Sequence, residues 1–194
     1  MMQELEKKLN YVFRNPALLD EALNHSSYAN EHRAEHLNSN ERLEFLGGSV
    51  LCFVTAEFLF SRHPDLPEGD LTRIRAALVC EQSLYEVAQQ LQLGRHLRLG
   101  RGEEAGGGRN RTSILADAME SVIAACFLDG GMAAAEGIIT RFILCDVPVT
   151  RLHNQDYKTA LRTIHAHYPN WVFEATVLPM TFAEAVAEVA TRPK

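Results

Sequence analysis

Residues 40–51 read NERLEFLGGSVL. Leu43, Leu46, Val50 and Phe53 recur at 3-4-3 spacing, so the stretch opens an amphipathic helix over residues 40–62 with those four as its core stripe. Two glycines stand side by side inside it, Gly47 and Gly48. Each costs about 1 kcal/mol relative to alanine in a helix interior. Close packing against a neighbouring helix accounts for one of them. The second needs a reason of its own.

Outward from this helix the chain keeps the same period. QELEKKLNYVF places apolar residues at helical spacing, and NPALLDEALNH opens with Asn15 as an N-cap before Pro16. ANEHRAEHLNSN is polar and reads as a loop or a short helix. HPDLPEGD ends the long helix with two prolines, and residues 69–92 read as one further helix. LGRHLRLGRGEEAGGGRNR is a glycine-rich basic loop. Residues 112–129 form a helix with Leu115, Met119, Val122 and Cys126 as its buried stripe, and GGMAAAEGIITRFIL forms the next. No strand-like alternation precedes residue 170, so residues 1–147 are expected to be an all-α domain. Pro148 marks a linker over 148–155, and 156–194 holds one short helix, one convincing strand (NWVFEATV) and a final helical pattern. A single strand cannot satisfy its own edges, so this second unit reads as a short, incomplete α+β remnant.

Carboxylates flank both core stripes. Glu41, Glu44 and position 48 lie at i, i+3 and i+7 on the first helix, and Asp117 and Glu120 lie at i, i+3 on the second. Packed together, the two helices would point these groups at one another. Clustered carboxylates repel unless a cation holds them, and oxygen-only ligands favour Mg²⁺ or Mn²⁺. Spacing alone favours the ordinary reading, two solvated helix faces.

The 194 residues are 46% hydrophobic and 23% charged, which suits a globular domain with a small appendage. No apolar run approaches a membrane span and the first residues are charged, so a cytoplasmic protein with no membrane partner is expected. Cys52, Cys80, Cys126 and Cys145 form no C-x-x-C pair and read as buried reduced thiols. His32 and His36 stand four apart but lack a third ligand for zinc. The net charge of −6 argues against a general nucleic-acid coat, while leaving room for a local basic track.

NERLEFLGGSVL and SILADAMESVIAACFLDGG closely resemble, in order and separation, the two signature segments of bacterial ribonuclease III, N-E-R-L-E-F-L-G-D-S and S-I-L-A-D-x-x-E-A. YVFRNPALLDEALNHSSYANE, PEGDLTRIRAALV and GGGRNRTSILAD extend the likeness over roughly residues 5–146. The resemblance implies a helical, homodimeric endonuclease that hydrolyses double-stranded RNA with a metal-activated water and acts in RNA processing. It assigns the catalytic centre to Glu44, position 48, Asp117 and Glu120, with Glu44, Asp117 and Glu120 as ligands of Mg²⁺ (or Mn²⁺). Glu41 and Glu68 match outer carboxylates of the cleavage valley, and Phe45 a residue that packs across the dimer. The ordinary readings are two solvated charges and a core aromatic.

Where the family segment has aspartate, this chain has Gly48. A charged oxygen group is lost, and impaired catalysis is expected. Residues 156–194 resemble the start of a double-stranded-RNA-binding domain without its later strands and basic final helix, so that domain reads as truncated. RNA contact is then expected from Arg95, Arg98, Arg101, Arg109 and Arg111 around the glycine-rich loop, which otherwise balance nearby acids. The reading that follows is a Mg²⁺-dependent endoribonuclease of this family. Its alternative is a catalytically inactive RNA-binding or regulatory homodimer of the same fold.

Overall fold

A computed structural model describes residues 2–144. The expected linker and α+β remnant lie outside the described residues, as does Cys145. Among the described residues the chain forms α1 (Met2–Leu9), α2 (Pro16–Ala22), α3 (Ser26–Glu31), α4 (Glu41–Arg62), α5 (Glu68–Leu78), α6 (Glu81–Leu91), α7 (Arg101–Ala105) and α8 (Thr112–Ile139). A π-helical turn, Thr140–Leu144, follows α8. No strand forms among them, and Asn24 and Arg98 share only an isolated bridge. The all-α expectation for this part of the chain holds.

α8 is the axis of the domain. Its run from Ile114 to Cys126 is buried apart from the carboxylate positions 117 and 120, and α4, α6 and α2 pack around it. A helix apolar on nearly every side has to be surrounded. The predicted stripe Leu115, Met119, Val122, Cys126 is fully buried. The expected boundary after residue 129 appears as a break at Gly131, whose φ of +73° and ψ of −170° suit glycine alone. By length and composition α4 and Thr112–Leu144 would each suffice to cross a bilayer, contrary to the expectation that no apolar run approaches a span. In the fold they pack on each other.

Three expectations need correction. Residues 69–92 are two helices, because Cys80 is extended (φ −74°, ψ 157°). α5 packs on α4 while α6 packs on α8, so the chain turns between two supports without a glycine or proline to signal it. Phe53 is not core: it is 60% exposed, and the buried stripe of α4 runs instead through Leu43, Gly47, Val50, Leu51 and Val54. Cys52 and Cys80 are exposed, and only Cys126 is buried among the described cysteines. α3 ends at Glu31, so His32 and His36 do not share a helix face, in keeping with a pair that binds no zinc; the His32 ring stacks on Tyr28.

The ends of the domain are stitched across the Gly131 break. The buried Asp129 carboxylate accepts from Tyr11 Oη at 2.7 Å, Arg14 N at 3.0 Å and Asn15 N at 2.8 Å. Burial works against its charged form, but these bonds and the Arg14 charge outweigh it and hold the carboxyl below its ordinary value. Arg141 adds a bond from Nη1 to the Leu9 carbonyl at 2.9 Å.

The crossing of α4 and α8 explains Gly47. A β-carbon there would lie 1.9 Å from the Glu120 carbonyl oxygen and 2.5 Å from its carbon. Both are backbone atoms of a buried helix and cannot give way. Gly47→Ala is therefore expected to force the helices apart and to cost about 3 kcal/mol, the upper end for overpacking a core. Urea unfolding of the two proteins measures it, and a loss below about 0.5 kcal/mol would show that the crossing is slack.

Candidate metal centre

The crossing at Gly47 brings the carboxylates together. Glu44, in the first turn of α4, meets Asp117 and Glu120 of α8, and one carboxylate oxygen from each lies within 4.8 Å of the others. All three are half-buried. They face the same way because Glu44 stands three residues before Gly47, while Asp117 and Glu120 stand three apart on the helix it touches.

Gly48 completes the outline. A β-carbon there would meet the Glu120 carboxylate first, with Oε1 at 2.9 Å, Cδ at 3.5 Å and Oε2 at 3.9 Å. Position 48 thus points at the cluster, and its nearest neighbour is the flexible end of a side chain. Packing requires Gly47 but not Gly48.

The electrostatics are those of unneutralised acids. Glu120 is pushed up to about 7 by burial, then by Glu44 and by Asp117. Glu44 is raised by burial, Asp117 and Glu41. Asp117 is raised by burial and by Glu81, with His25 opposing. Glu81, in the first turn of α6, and His25, before α3, were not singled out in the sequence. Their approach to Asp117 is made by tertiary packing and leaves no local signal. Three clustered oxygen donors, none in an ion pair among the described residues, are the donor chemistry of a small hard cation.

The other expected residues are dispersed. Glu41 is exposed, accepts from Ser39 Oγ at 2.8 Å, and borders a polar cleft of about 530 Å³ that also holds Ser26, Asn30, Arg33 and His36. The cleft forms where α3, the turns after it and the start of α4 come together, a tertiary arrangement with no local signal in the sequence. Glu68 begins α5, accepts from Thr72, and is not part of the cluster. Phe45 is 80% exposed, so it is not core in this chain taken alone.

Three of the five arginines are paired with acids. Arg98 pairs with Asp20 and donates to Asn24 at 3.1 Å. Arg109 pairs with Glu104 at 2.6 Å and donates to the carbonyls of Gly94 and Leu97, both at 2.7 Å. Arg111 pairs with Glu103 at 2.6 Å. Arg95 donates to Gln92 at 3.3 Å, and Arg101 is exposed. The glycine-rich loop is thus a braced structure, with α7 at its centre and ties from Gly100 N to Ser27 and from Arg101 N to Glu31.

Comparison with known proteins agrees with this arrangement. A family described as Ribonuclease-III-like matches residues 15–147. A Ribonuclease 3 of Caldanaerobacter subterraneus subsp. tengcongensis is 48% identical over 166 residues, covering 84% of this chain and 72% of that protein. A Ribonuclease 3 of Symbiobacterium thermophilum is 53% identical over 156 residues, covering 79% of this chain and 65% of that protein. Among solved structures, a nuclease domain of ribonuclease III from Campylobacter jejuni superposes with a TM-score of 0.69 at 40% identity. The superposition covers 74% of this chain and 96% of that domain, and the structure is described as showing flexibility in a region involved in dimer formation. Family match, relatives and fold coincide on the residues that build the crossing and its carboxylates: this chain belongs to the ribonuclease III family.

Proposed function

We propose that the chain is a divalent-cation-dependent endoribonuclease for double-stranded RNA, acting as a cytoplasmic homodimer whose rate is limited by Gly48. The observation that carries this is the convergence of Glu44, Asp117 and Glu120 within 4.8 Å, with position 48 aimed at Glu120. These three would hold Mg²⁺ or Mn²⁺, which when bound supplies a water of lowered pKa and stabilises charge on a phosphate. Glu120 takes up a proton near neutrality when no cation is present, so cation and proton compete for it.

Of the five arginines around the glycine-rich loop, Arg95 and Arg101 are the two without an ion pair, and they serve this reading as phosphate contacts. Arg98, Arg109 and Arg111 contribute by bracing the loop. Glu41 lies near enough to raise Glu44 and acts as an outer carboxylate, with Glu68 a more remote one. Phe45, Phe53 and Phe60 are 80%, 60% and 74% exposed and lie on one face of α4. A second copy of the chain is the occupant this face fits, in keeping with the dimer-forming region of the Campylobacter jejuni domain. Gly48 favours a second reading, a non-catalytic RNA-binding dimer, because a carboxylate is missing from the centre.

Duplex RNA with Mg²⁺ and with Mn²⁺ decides between the two. Slow cleavage is expected, and Gly48→Asp should raise it about tenfold or more, as expected for a group acting on the transition state. If that substitution changes neither the rate nor the cation-dependent melting temperature, position 48 is not part of a metal centre.

Sedimentation at micromolar concentration should show a dimer, and Phe45→Glu should give a monomer. A wild-type monomer would remove α4 as a dimer face.

The pH dependence without cation has a definite sign. Glu120 is raised in the fold, so its charge opposes folding from about its ordinary value of 4.5 upward, fully above about 7. Glu120→Gln should therefore raise the melting temperature of the cation-free protein at pH 8 and leave it unchanged at pH 4. It should also abolish the gain on adding Mg²⁺. Equal effects at both pH values would mean that packing, not charge, governs this position.

A further inference from the structure

We infer that Ser121 is a positioning residue: its buried hydroxyl ties the start of α4 to α8, so that Glu44 and Glu120 stay aimed at one cation although Gly48 loosens the helix between them. The inference rests on the cation reading above and assigns the residue that makes the centre workable without a carboxylate at position 48.

The start of α4 is weakly built from within. Asn40 precedes it with no side-chain cap; its amide instead donates to the Ala22 carbonyl at 3.4 Å. The first turn carries Glu41 and Glu44, and the next reaches Gly47 and Gly48, where backbone freedom is greatest. What secures this end comes from outside. Asn40 N donates to the Asn24 carbonyl at 2.8 Å. Asn24 in turn donates to the Asn38 carbonyl and is held by Arg98.

On the other side stands Ser121, wholly buried and next in sequence to Glu120. Its Oγ lies 3.2 Å from the Asn40 carbonyl and 2.8 Å from that of Asp117. A hydroxyl has one proton, so the two carbonyls share it. The Asn40 carbonyl is the one that also accepts from Glu44 N, at 2.8 Å. A single buried oxygen atom therefore joins the backbone hydrogen bond that orients Glu44 to the turn that presents Asp117 and Glu120. The family segment quoted above carries alanine at this position and aspartate at 48. There, a carboxylate on the cation would itself hold α4 in place. Here the hydroxyl does it.

The test is a cycle of four proteins: the natural chain, Ser121→Ala, Gly48→Asp and the double variant. Mn²⁺ affinity is read by electron paramagnetic resonance, and exchange of the Glu44 amide by hydrogen exchange without cation. Ser121→Ala alone should weaken Mn²⁺ binding about fivefold, the worth of one buried hydrogen bond. In the Gly48→Asp background the same change should matter less than about twofold, because the pair is coupled. Equal losses in both backgrounds, or none in either, would overturn the proposal, since a merely structural bond acts alike whatever stands at position 48. If Gly48→Asp itself binds no Mn²⁺, the cation reading fails and the tie is judged by exchange alone. Faster exchange of the Glu44 amide in Ser121→Ala upholds it, and unchanged exchange overturns it.

Discussion

The backbone of α4 touches the backbone of α8 at Gly47, and the rest of the domain is arranged to permit that contact. A helix crossing this close leaves no room for any side chain at position 47. In return it sets three carboxylates from two helices into one small volume. Wider crossings would spread them over a surface where water would screen each separately. The glycine that looks like a flaw in the helix is what brings the charges within reach of one another.

That closeness opposes folding. Three acids half out of water, none of them in an ion pair among the described residues, each disfavour their own ionisation, and burial is the leading cause for all three. The domain tolerates this because α8 is otherwise buried in apolar contacts on nearly every side. Stability is held in the core below the site, and the site itself is left strained. This division is common where a scaffold must present groups that would rather separate.

Much of this was legible in the sequence, for reasons that differ by element. α8 announced itself because its stripe of Leu115, Met119, Val122 and Cys126 keeps helical period without interruption. Gly131 marked the break because glycine is the residue that backbone conformation requires. The acid positions could be placed on helix faces by counting residues, and the family segments joined them across the chain. Other features had no local signal. The turn at Cys80 arises because α5 and α6 rest on different helices. Phe53 has the right period for the core but lies on the outer side of α4, since Leu51 and Val54 supply the buried one. The arginines of the loop looked alike as letters; only their partners, Asp20, Glu104 and Glu103, separate braces from free cations.

Asp129 lies twelve residues beyond Asp117 on the same helix, yet it responds to protons in the opposite sense. Its hydrogen bonds favour the charged form, so the stitch it makes is intact above its ordinary value of 3.8 and weakens only as pH falls below that. The acid cluster behaves inversely and is relieved of its repulsion as protons arrive. One helix thus carries both an anchor that needs its charge and a cluster that resents its own. In the cation-free domain the two are reconciled best in mildly acidic solution, where Asp129 is still ionised and Glu120 is already neutral. At neutral pH a cation held by the cluster would take over the part that protons play there.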